Sequence, residues 1–432
     1  MSRIGYSQNK FIIQNKKGTD KISFKLINNL IVIPIEVNGV ELSFLLDTGV
    51  SKPIIFNFLN ISDTLKIKNT ERIFIRGLGT DEPVEAIRSS NNFFKIGDTF
   101  NLSQDLYAVY DLNLNFGPRL GVPIHGIIGF DLFKDLVVEI NYSTKVIKLT
   151  EPEKYSYKSC RKCEQFNLEF HNNKPYVYAE VGLNDNRIPL KLLIDTGGSD
   201  SLWLFEDQSL GIVSGEKFFN DFLGHGLSGS VYGKRAKAQA FYLKSFKLKS
   251  PNVAYPDSLS IVYAKKVKNR NGSMSGNILK RFNIVIDYKG ALLTLKKNKN
   301  FNEKFQYNKS GIELAHQGVR YVKEFQAVKR KFDTRYQNRV NSGTRIVFDG
   351  EYKMVLKPAY AIVELREGSP AKRAGLMKGD VVLAVNGNSI HHQPLQEIIG
   401  LFYGNAGKSI KLKVERDTKK LNFSFKLENL LE

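Results

Sequence analysis

Short apolar runs alternate with polar turns along most of the chain. Runs rich in β-branched and aromatic residues, as in PIEVNGVELSFLL and YKGALLTL, are broken by Gly, Asn and Asp. Period-two runs separated by turn residues predict short strands in small antiparallel sheets, closed into barrel-like units. Ile54–Asn60 reads equally as a short helix or a short strand. Val319–Arg345 reads differently: Val322, Phe325, Val328 and Phe332 recur at helical spacing, predicting an amphipathic basic helix inserted at the surface. The last eighty or so residues read as a separate compact β-unit. There Ser-Pro-Ala opens a short helix, Gly375 ends it, Gly379-Asp380 turns the chain, and an alternating strand runs into the Asn386-Gly387 turn.

The pattern repeats. PIEVNGVELSFLLDTG is matched by YAEVGLNDNRIPLKLLIDTG, each a strand, a turn and an apolar strand ending in Asp-Thr-Gly, with the two Asp 148 residues apart. Gly77-Leu78-Gly79 pairs with Gly226-Leu227-Ser228, and Phe133–Tyr142 with Leu279–Tyr288, at nearly the same offset. Self-similarity in matching order predicts two homologous lobes. They span residues 20–150 and 165–297, joined by a polar linker at 151–164, with a further unit at 305–430 carrying a basic insertion around 319–350.

Composition supports the β reading: Phe and Tyr are plentiful (29 and 19) in a chain of 432 residues, enough for two to four domains. The formal charge of +21 attracts anionic partners: nucleic acid, an anionic membrane or envelope surface, or acidic substrates. The alternative is a solvated basic surface. The densest runs are Lys265–Arg270 and Val319–Arg345, the latter with eight Lys or Arg against two acidic residues. No zinc-finger spacing or phosphate loop accompanies them, so no specific nucleic-acid partner is expected. Cys160 and Cys163 read as a local disulfide, idle thiols, a loose metal site or, least readily, a redox pair. No run of 18 apolar residues is present. Gly5-Tyr6-Ser7-Gln8 reads as the tail of a signal peptide, which would make the protein exported; an authentic start would make it cytoplasmic.

The two Asp-Thr-Gly motifs carry the candidate chemistry. Each follows an apolar strand, placing Asp47 and Asp195 at buried strand ends. Gly49 and Gly197 permit a sharp turn. Thr48 and Thr196 offer hydroxyls able to brace facing loops. Two such loops related by a pseudo-twofold axis bring the carboxylates together. Two carboxylates in contact share a proton, so one can act as base while the other acts as acid. Such a pair requires neither metal nor cofactor. A duplicated barrel whose Asp residues only cap turns would show the same repeat without catalysis.

These duplicated motifs resemble the pepsin–retropepsin clan of aspartic proteases. Each half also has the clan's apolar-apolar-Gly element, as Ile127-Ile128-Gly129 and, degraded, as Ser273-Met274-Ser275-Gly276. The resemblance implies a mainly β, bilobal acid-protease fold and an endopeptidase with catalytic Asp47 and Asp195. It implies that Thr48, Gly49, Thr196 and Gly197 form the active-site loops. The flap would be the hairpin around Gly77, Leu78 and Gly79, or its counterpart at Gly226 and Leu227. The chain departs from pepsin-type members at Val50 and Gly198, which stand where those enzymes place Ser, with Ser51 and Ser199 one place later. No Tyr lies at the first hairpin's tip, although Tyr232 lies in the second.

Glu367-Gly368-Ser369-Pro370-Ala371, Ala374-Gly375-Leu376 and Gly379–Gly387 resemble a PDZ domain of the bacterial protease-associated type. Such a domain adds a peptide C-terminus as a strand to its sheet edge. The resemblance implies a carboxylate loop at Ser310, Gly311 and Ile312 and a groove helix near Pro394–Tyr403. Leu395, Ile398, Ile399 and Phe402 would line the groove or fill the core. The expected partners are a peptide or protein substrate and a C-terminal peptide ligand, with the protein itself a monomer.

Overall fold

The computed structural model describes residues 9–56, 61, 64–79, 82–110, 114–327 and 350–431. Among these residues the strands form four sheets, one in each lobe, one between the lobes and one in the C-terminal unit. The fold is mainly β, an acid-protease pair of lobes followed by a PDZ domain.

In lobe one, Leu30–Val37 and Val40–Leu46 form a hairpin that delivers Asp47. Its Asn38-Gly39 turn has φ of +48° and +88°, the left-handed geometry that matches strand twist. Lobe two repeats the device with Lys174–Leu183 and Asn186–Asp195, turning at Asn184-Asp185 with φ of +48° and +61°. Each Asp-bearing strand then pairs in parallel with the lobe's second element: Val40–Leu46 with Gly126–Ile128, and Asn186–Asp195 with Arg270–Ser275. A parallel partner needs a long crossover. That is why elements about eighty residues apart meet at each Asp.

The interlobe sheet has six strands among the described residues. At its centre Val137–Asn141 lies antiparallel to Phe282–Asp287, with Val138 opposite Ile286 and Ile140 opposite Ile284. These are the two copies of one repeated segment, so the repeat pairs with itself about the pseudo-twofold axis. The four apolar side chains are buried in a core continuous through both lobes.

The linker is partly structured. Cys160 and Cys163 form a disulfide, and Cys163–Asn167 adds to the edge of the interlobe sheet. Phe305 still belongs to the protease core, under the Arg281 guanidinium. Tyr307 packs with Phe219 of lobe two and Leu431, closing the seam to the next domain.

The PDZ sheet runs in the order Ile312–Ala327, Gly350–Leu365, Val381–Val385, Ser409–Arg416, Lys419–Lys426. It has its own core, including Ile312, Leu314, Ile362, Val382, Leu395, Ile398, Phe402 and Leu412. The Ser369 hydroxyl caps the Pro370–Arg373 turn by accepting from the Lys372 amide at 3.2 Å, and Gly375 follows at φ +96°. No helix among the described residues is long and apolar enough to cross a membrane.

Two local expectations change. Ile54–Ile55 is a strand between Gly126–Ile128 and the strand Thr99–Val109. The basic segment is not helical where it is described: Ile312–Ala327 is one long strand paired with Gly350–Leu365, so the insertion extends a PDZ hairpin. Val319, Tyr321 and Phe325 also satisfy a period of two, and pairing with Tyr352–Pro358 decided between the periods. Val328, Phe332 and the rest of 328–349 lie outside the described residues.

Candidate active site

The Asp-Thr-Gly loops brace each other reciprocally. The Thr48 hydroxyl donates to the Ile194 carbonyl at 2.5 Å and accepts from the Thr196 amide at 3.1 Å. The Thr196 hydroxyl donates to the Leu46 carbonyl at 2.7 Å and accepts from the Thr48 amide at 3.0 Å. Each bond contributes about 1 kcal/mol net, and all four join residues from opposite lobes, so the Thr pair locks the strand ends in register. Both Thr side chains are fully buried.

Above this brace stand the two carboxylates. The Gly49 amide donates to Asp47 Oδ1 at 2.6 Å, and the Gly197 amide to Asp195 Oδ1 at 3.0 Å. The loops pass closely enough that a Cβ on Gly197 would lie 2.2 Å from Asp47 Cγ. Burial, and next to it the Asp195 charge, pushes Asp47 up to about 7; the Gly49 amide and the Lys174 ammonium oppose that rise. Burial also raises Asp195, against Arg270, the Gly197 amide and Lys174. Both carboxyls are thus held above their ordinary range by burial, and Arg270 opposes the rise at Asp195.

Lys174 and Arg270 were not singled out from the sequence. Arg270 ends the run Lys265–Arg270, which reads as a solvated charge cluster. It opens the strand beside Asp195, and its Nε donates to the Gly272 carbonyl at 3.1 Å. Only the parallel pairing of Arg270–Ser275 with Asn186–Asp195 brings its charge within reach of Asp195.

The departures from the pepsin pattern have local causes. Val50 is buried among Leu30, Val32 and Ile54, and the Ser51 hydroxyl donates to the Asn172 carbonyl at 3.0 Å, away from Asp47. A Cβ on Gly198 would lie 2.7 Å from Ser275 Oγ and 3.0 Å from Asp195 Oδ2. The hydroxyl of Ser275, from the degraded second Gly element, already fills the space that a Ser at 198 would need.

Both candidate flap segments lie on hairpins, and the two hairpins meet. The Thr70–Ile75 and Val84–Ile96 hairpin carries Gly77, Leu78 and Gly79, with Thr80 and Asp81 outside the described residues. The Phe219–Gly226 and Gly229–Lys237 hairpin carries Leu227 and Ser228 at its tip. The Ser228 amide donates to the Leu78 carbonyl at 2.9 Å, and the Gly77 amide to Ser228 Oγ at 3.2 Å. Gly79 (φ +122°) and Gly226 are required by close approach, since a Cβ on either would lie about 2 Å from the facing carbonyl. A cavity of about 860 Å³ opens beside this junction, lined by Arg72, Tyr110, Leu114, His225 and Leu227 among others.

The lobe-two hairpin continues into a half-buried charge network with the PDZ domain. Arg235 bridges Asp200, five residues beyond Asp195, at 2.8 Å and Asp221 at 2.9 Å. Arg366 of the PDZ domain lies 3.9 Å from Asp221. Burial, and next to it the Asp221 charge, pushes Glu313 up to about 7. A carboxyl with a raised folded-state value binds its proton more tightly folded than unfolded, so stability falls as pH climbs from its ordinary 4.5 towards 7. Glu313→Gln should therefore raise the thermal midpoint by a few degrees at pH 8 and leave it unchanged at pH 4, as read by calorimetry.

The predicted PDZ groove residues are placed differently from one another. Leu395, Ile398 and Phe402 are core, and Ile399 is half-buried against it. The Ser310 and Gly311 amides donate to Asn308 Oδ1 at 3.0 and 3.2 Å, and the Ile312 amide to Ser310 Oγ at 3.0 Å. The predicted carboxylate loop thus has these three amides engaged internally. Lobe one also covers the groove edge: Gln396 Nε2 donates to the Leu120 carbonyl at 3.3 Å, and a Cβ on Gly121 would meet Leu395. Glu324, His391 and His392 cluster within 4.8 Å on the far side of the domain. There the Lys357 ammonium, 3.0 Å from Glu324 Oε1, already neutralises the carboxylate.

Residues 33–132 match the family model of aspartyl proteases, and these residues include Asp47 and the Thr70–Ile75 and Val84–Ile96 hairpin. The chain thus carries an aspartyl protease domain. A PDZ domain follows it, with residues 362–416 matching that family's model. The probable CtpA-like serine protease of Staphylococcus saprophyticus is similar over 62 residues at 37% identity, 14% of this chain and 13% of that protein.

Proposed function

We propose that this protein is an aspartic endopeptidase working through Asp47 and Asp195. The observation that carries the proposal is the reciprocal Thr48–Thr196 brace, which holds two carboxylates close together, both pushed up by burial. In the reaction a water between the carboxylates attacks the scissile carbonyl carbon while Asp195 takes its proton. Asp47 donates its own proton to the carbonyl oxygen, giving a neutral tetrahedral diol. The diol then collapses: the C–N bond breaks, the leaving nitrogen takes the proton held by Asp195, and a diol proton returns to Asp47. Substrate enters when the flap tips part.

The PDZ domain, in this proposal, receives the C-terminal end of a peptide or protein and presents it to the cleft. Its groove edge is covered by the Gly117–Gly121 segment, so binding there requires that segment to lift. The disulfide supports an exported setting, since such bonds persist in oxidising compartments.

The pH profile of peptide hydrolysis tests the dyad. Turnover needs one proton on the pair. It should fall as pH rises through about 7, where Asp47 loses its proton, and fall again in acid as Asp195 gains one. Lys174→Met removes a cation that holds both values down, so both limbs should move to higher pH. Arg270→Met should move mainly the acid limb, because Arg270 chiefly opposes the rise of Asp195. A profile flat from pH 4 to 9, or unmoved by both substitutions, would refute the assignment.

A further inference from the structure

The long PDZ hairpin has its polarity inside out. Cross-strand pairing sets Val319 opposite Pro358, Tyr321 opposite Leu356, Lys323 opposite Met354 and Phe325 opposite Tyr352. Directly opposed residues share a face, and alternate residues along a strand share it too. One face of the ribbon is therefore apolar and aromatic with a single Lys. Its six large side chains, Val319, Tyr321, Phe325, Tyr352, Met354 and Leu356, are 54–68% exposed. The opposite face is turned to the domain at Arg320, Glu324 and Lys357, while Gln326 and Lys353 at its outer end are exposed. Arg320 pairs with Glu415 at 3.1 Å, and His392 lies 2.8 Å from Glu324. Half-buried polar groups face inward while large apolar groups face solvent, opposite to the usual arrangement.

We propose that this face docks the protein on an anionic lipid bilayer. Charge complementarity selects the occupant. The ribbon segments 319–327 and 350–358 hold four Lys or Arg against two Glu, within a chain of formal charge +21. Lys323 stands in the middle of the apolar face, its ammonium 4.4 Å from the Tyr352 ring centre. Covered by a second copy or by an apolar protein surface, that ammonium would be buried away from water or set against its own counterpart. Against an anionic bilayer it reaches phosphate while its stem and the neighbouring rings sit among the upper acyl chains. Tyr at two of the six positions suits the boundary between headgroup and hydrocarbon.

The ribbon's geometry sets the depth. A two-stranded ribbon has backbone donors and acceptors along both edges, which cannot be left unpaired in hydrocarbon. It therefore lies flat at the headgroup level with one face down. The opposite face stays against the PDZ body, so docking requires no refolding of the domain.

The test is co-sedimentation of the full chain with vesicles of phosphatidylcholine alone and of an equimolar mixture with phosphatidylglycerol. The wild type should sediment with the mixed vesicles, weakly or not at all with phosphatidylcholine, and less in high salt. Tyr321→Ser, Phe325→Ser and Leu356→Ser combined should weaken partitioning by about tenfold or more. The thermal midpoint should hold, because these side chains are exposed, and it certifies that the variant is folded. Lys323→Glu should reduce binding to the anionic vesicles only. The proposal is overturned if the wild type ignores phosphatidylglycerol vesicles or if the triple variant binds as the wild type does. It is equally overturned if sedimentation without lipid shows a dimer that the triple substitution dissolves, since the face would then be covered by a second copy.

Discussion

Asp195→Asn should lower kcat for peptide hydrolysis by about 10³-fold or more and leave the fold intact. In the proposed mechanism the carboxylate at 195 accepts the water's proton, and an amide cannot take that role. Structurally the exchange is mild. An Asn at 195 keeps an oxygen able to accept from the Gly197 amide, now at 3.0 Å, and the Thr48–Thr196 brace uses no atom of the Asp side chain. Asp47→Asn should be as damaging by another route, because it leaves no acidic proton for the carbonyl oxygen. It should also stabilise the fold above pH 7, since Asp47 is buried beside a like charge and its ionisation is what burial resists. The checks are steady-state cleavage of a peptide library and calorimetry on the same preparations. Turnover within tenfold of wild type in either variant would end the dyad assignment and leave the two Asp as turn caps.

Gly197→Ala is the second large effect, and it comes from one methyl group. The added Cβ would lie 2.2 Å from Asp47 Cγ and 2.3 Å from Asp47 Oδ2, well inside contact distance. Asp47 or its loop must move, and in the proposed mechanism Asp47 is the acid toward the scissile carbonyl. A misplaced catalytic group costs about 10²-fold. We expect a fall of that size in kcat, with KM less affected because the flaps and outer cleft are untouched. Gly211→Ala serves as the matched control. That glycine also sits in lobe two, at φ +74°, where an added Cβ meets only Ile188 Cδ1 at 3.4 Å. It should cost some stability through backbone strain and leave the rate alone. If the two variants lost the same activity, the damage at 197 would be general and not due to contact with Asp47.

Much of this was legible in the chain. The repeat specified two lobes, because matched segments in matched order build the same hairpin twice, and the two copies of Val137–Asn141 and Phe282–Asp287 end up paired with each other. Asp-Thr-Gly after an apolar strand marked the dyad and its brace, because strand end, hydroxyl and turn are local properties. The flaps were legible as hairpins, and the Ser369 cap and Gly375 stop marked the C-terminal domain.

What the chain alone left open was whatever depends on a distant partner. The period of Val319–Phe325 fits a helix or a strand until Tyr352–Pro358 is set beside it. Arg270 looks like one more surface cation until a crossover lays its strand against Asp195. Gly198 looks like a lost hydroxyl until Ser275 is found in that space. That each candidate flap segment is a hairpin was written locally, but that the two hairpins touch through Leu78 and Ser228 was decided only when the lobes met. Sequence determined the two acids and the loops that hold them, because turn and strand preferences act over a few residues. Tertiary structure determined the surroundings that raise both carboxyls, with Lys174 and Arg270 set against that rise, because charge and burial act through space.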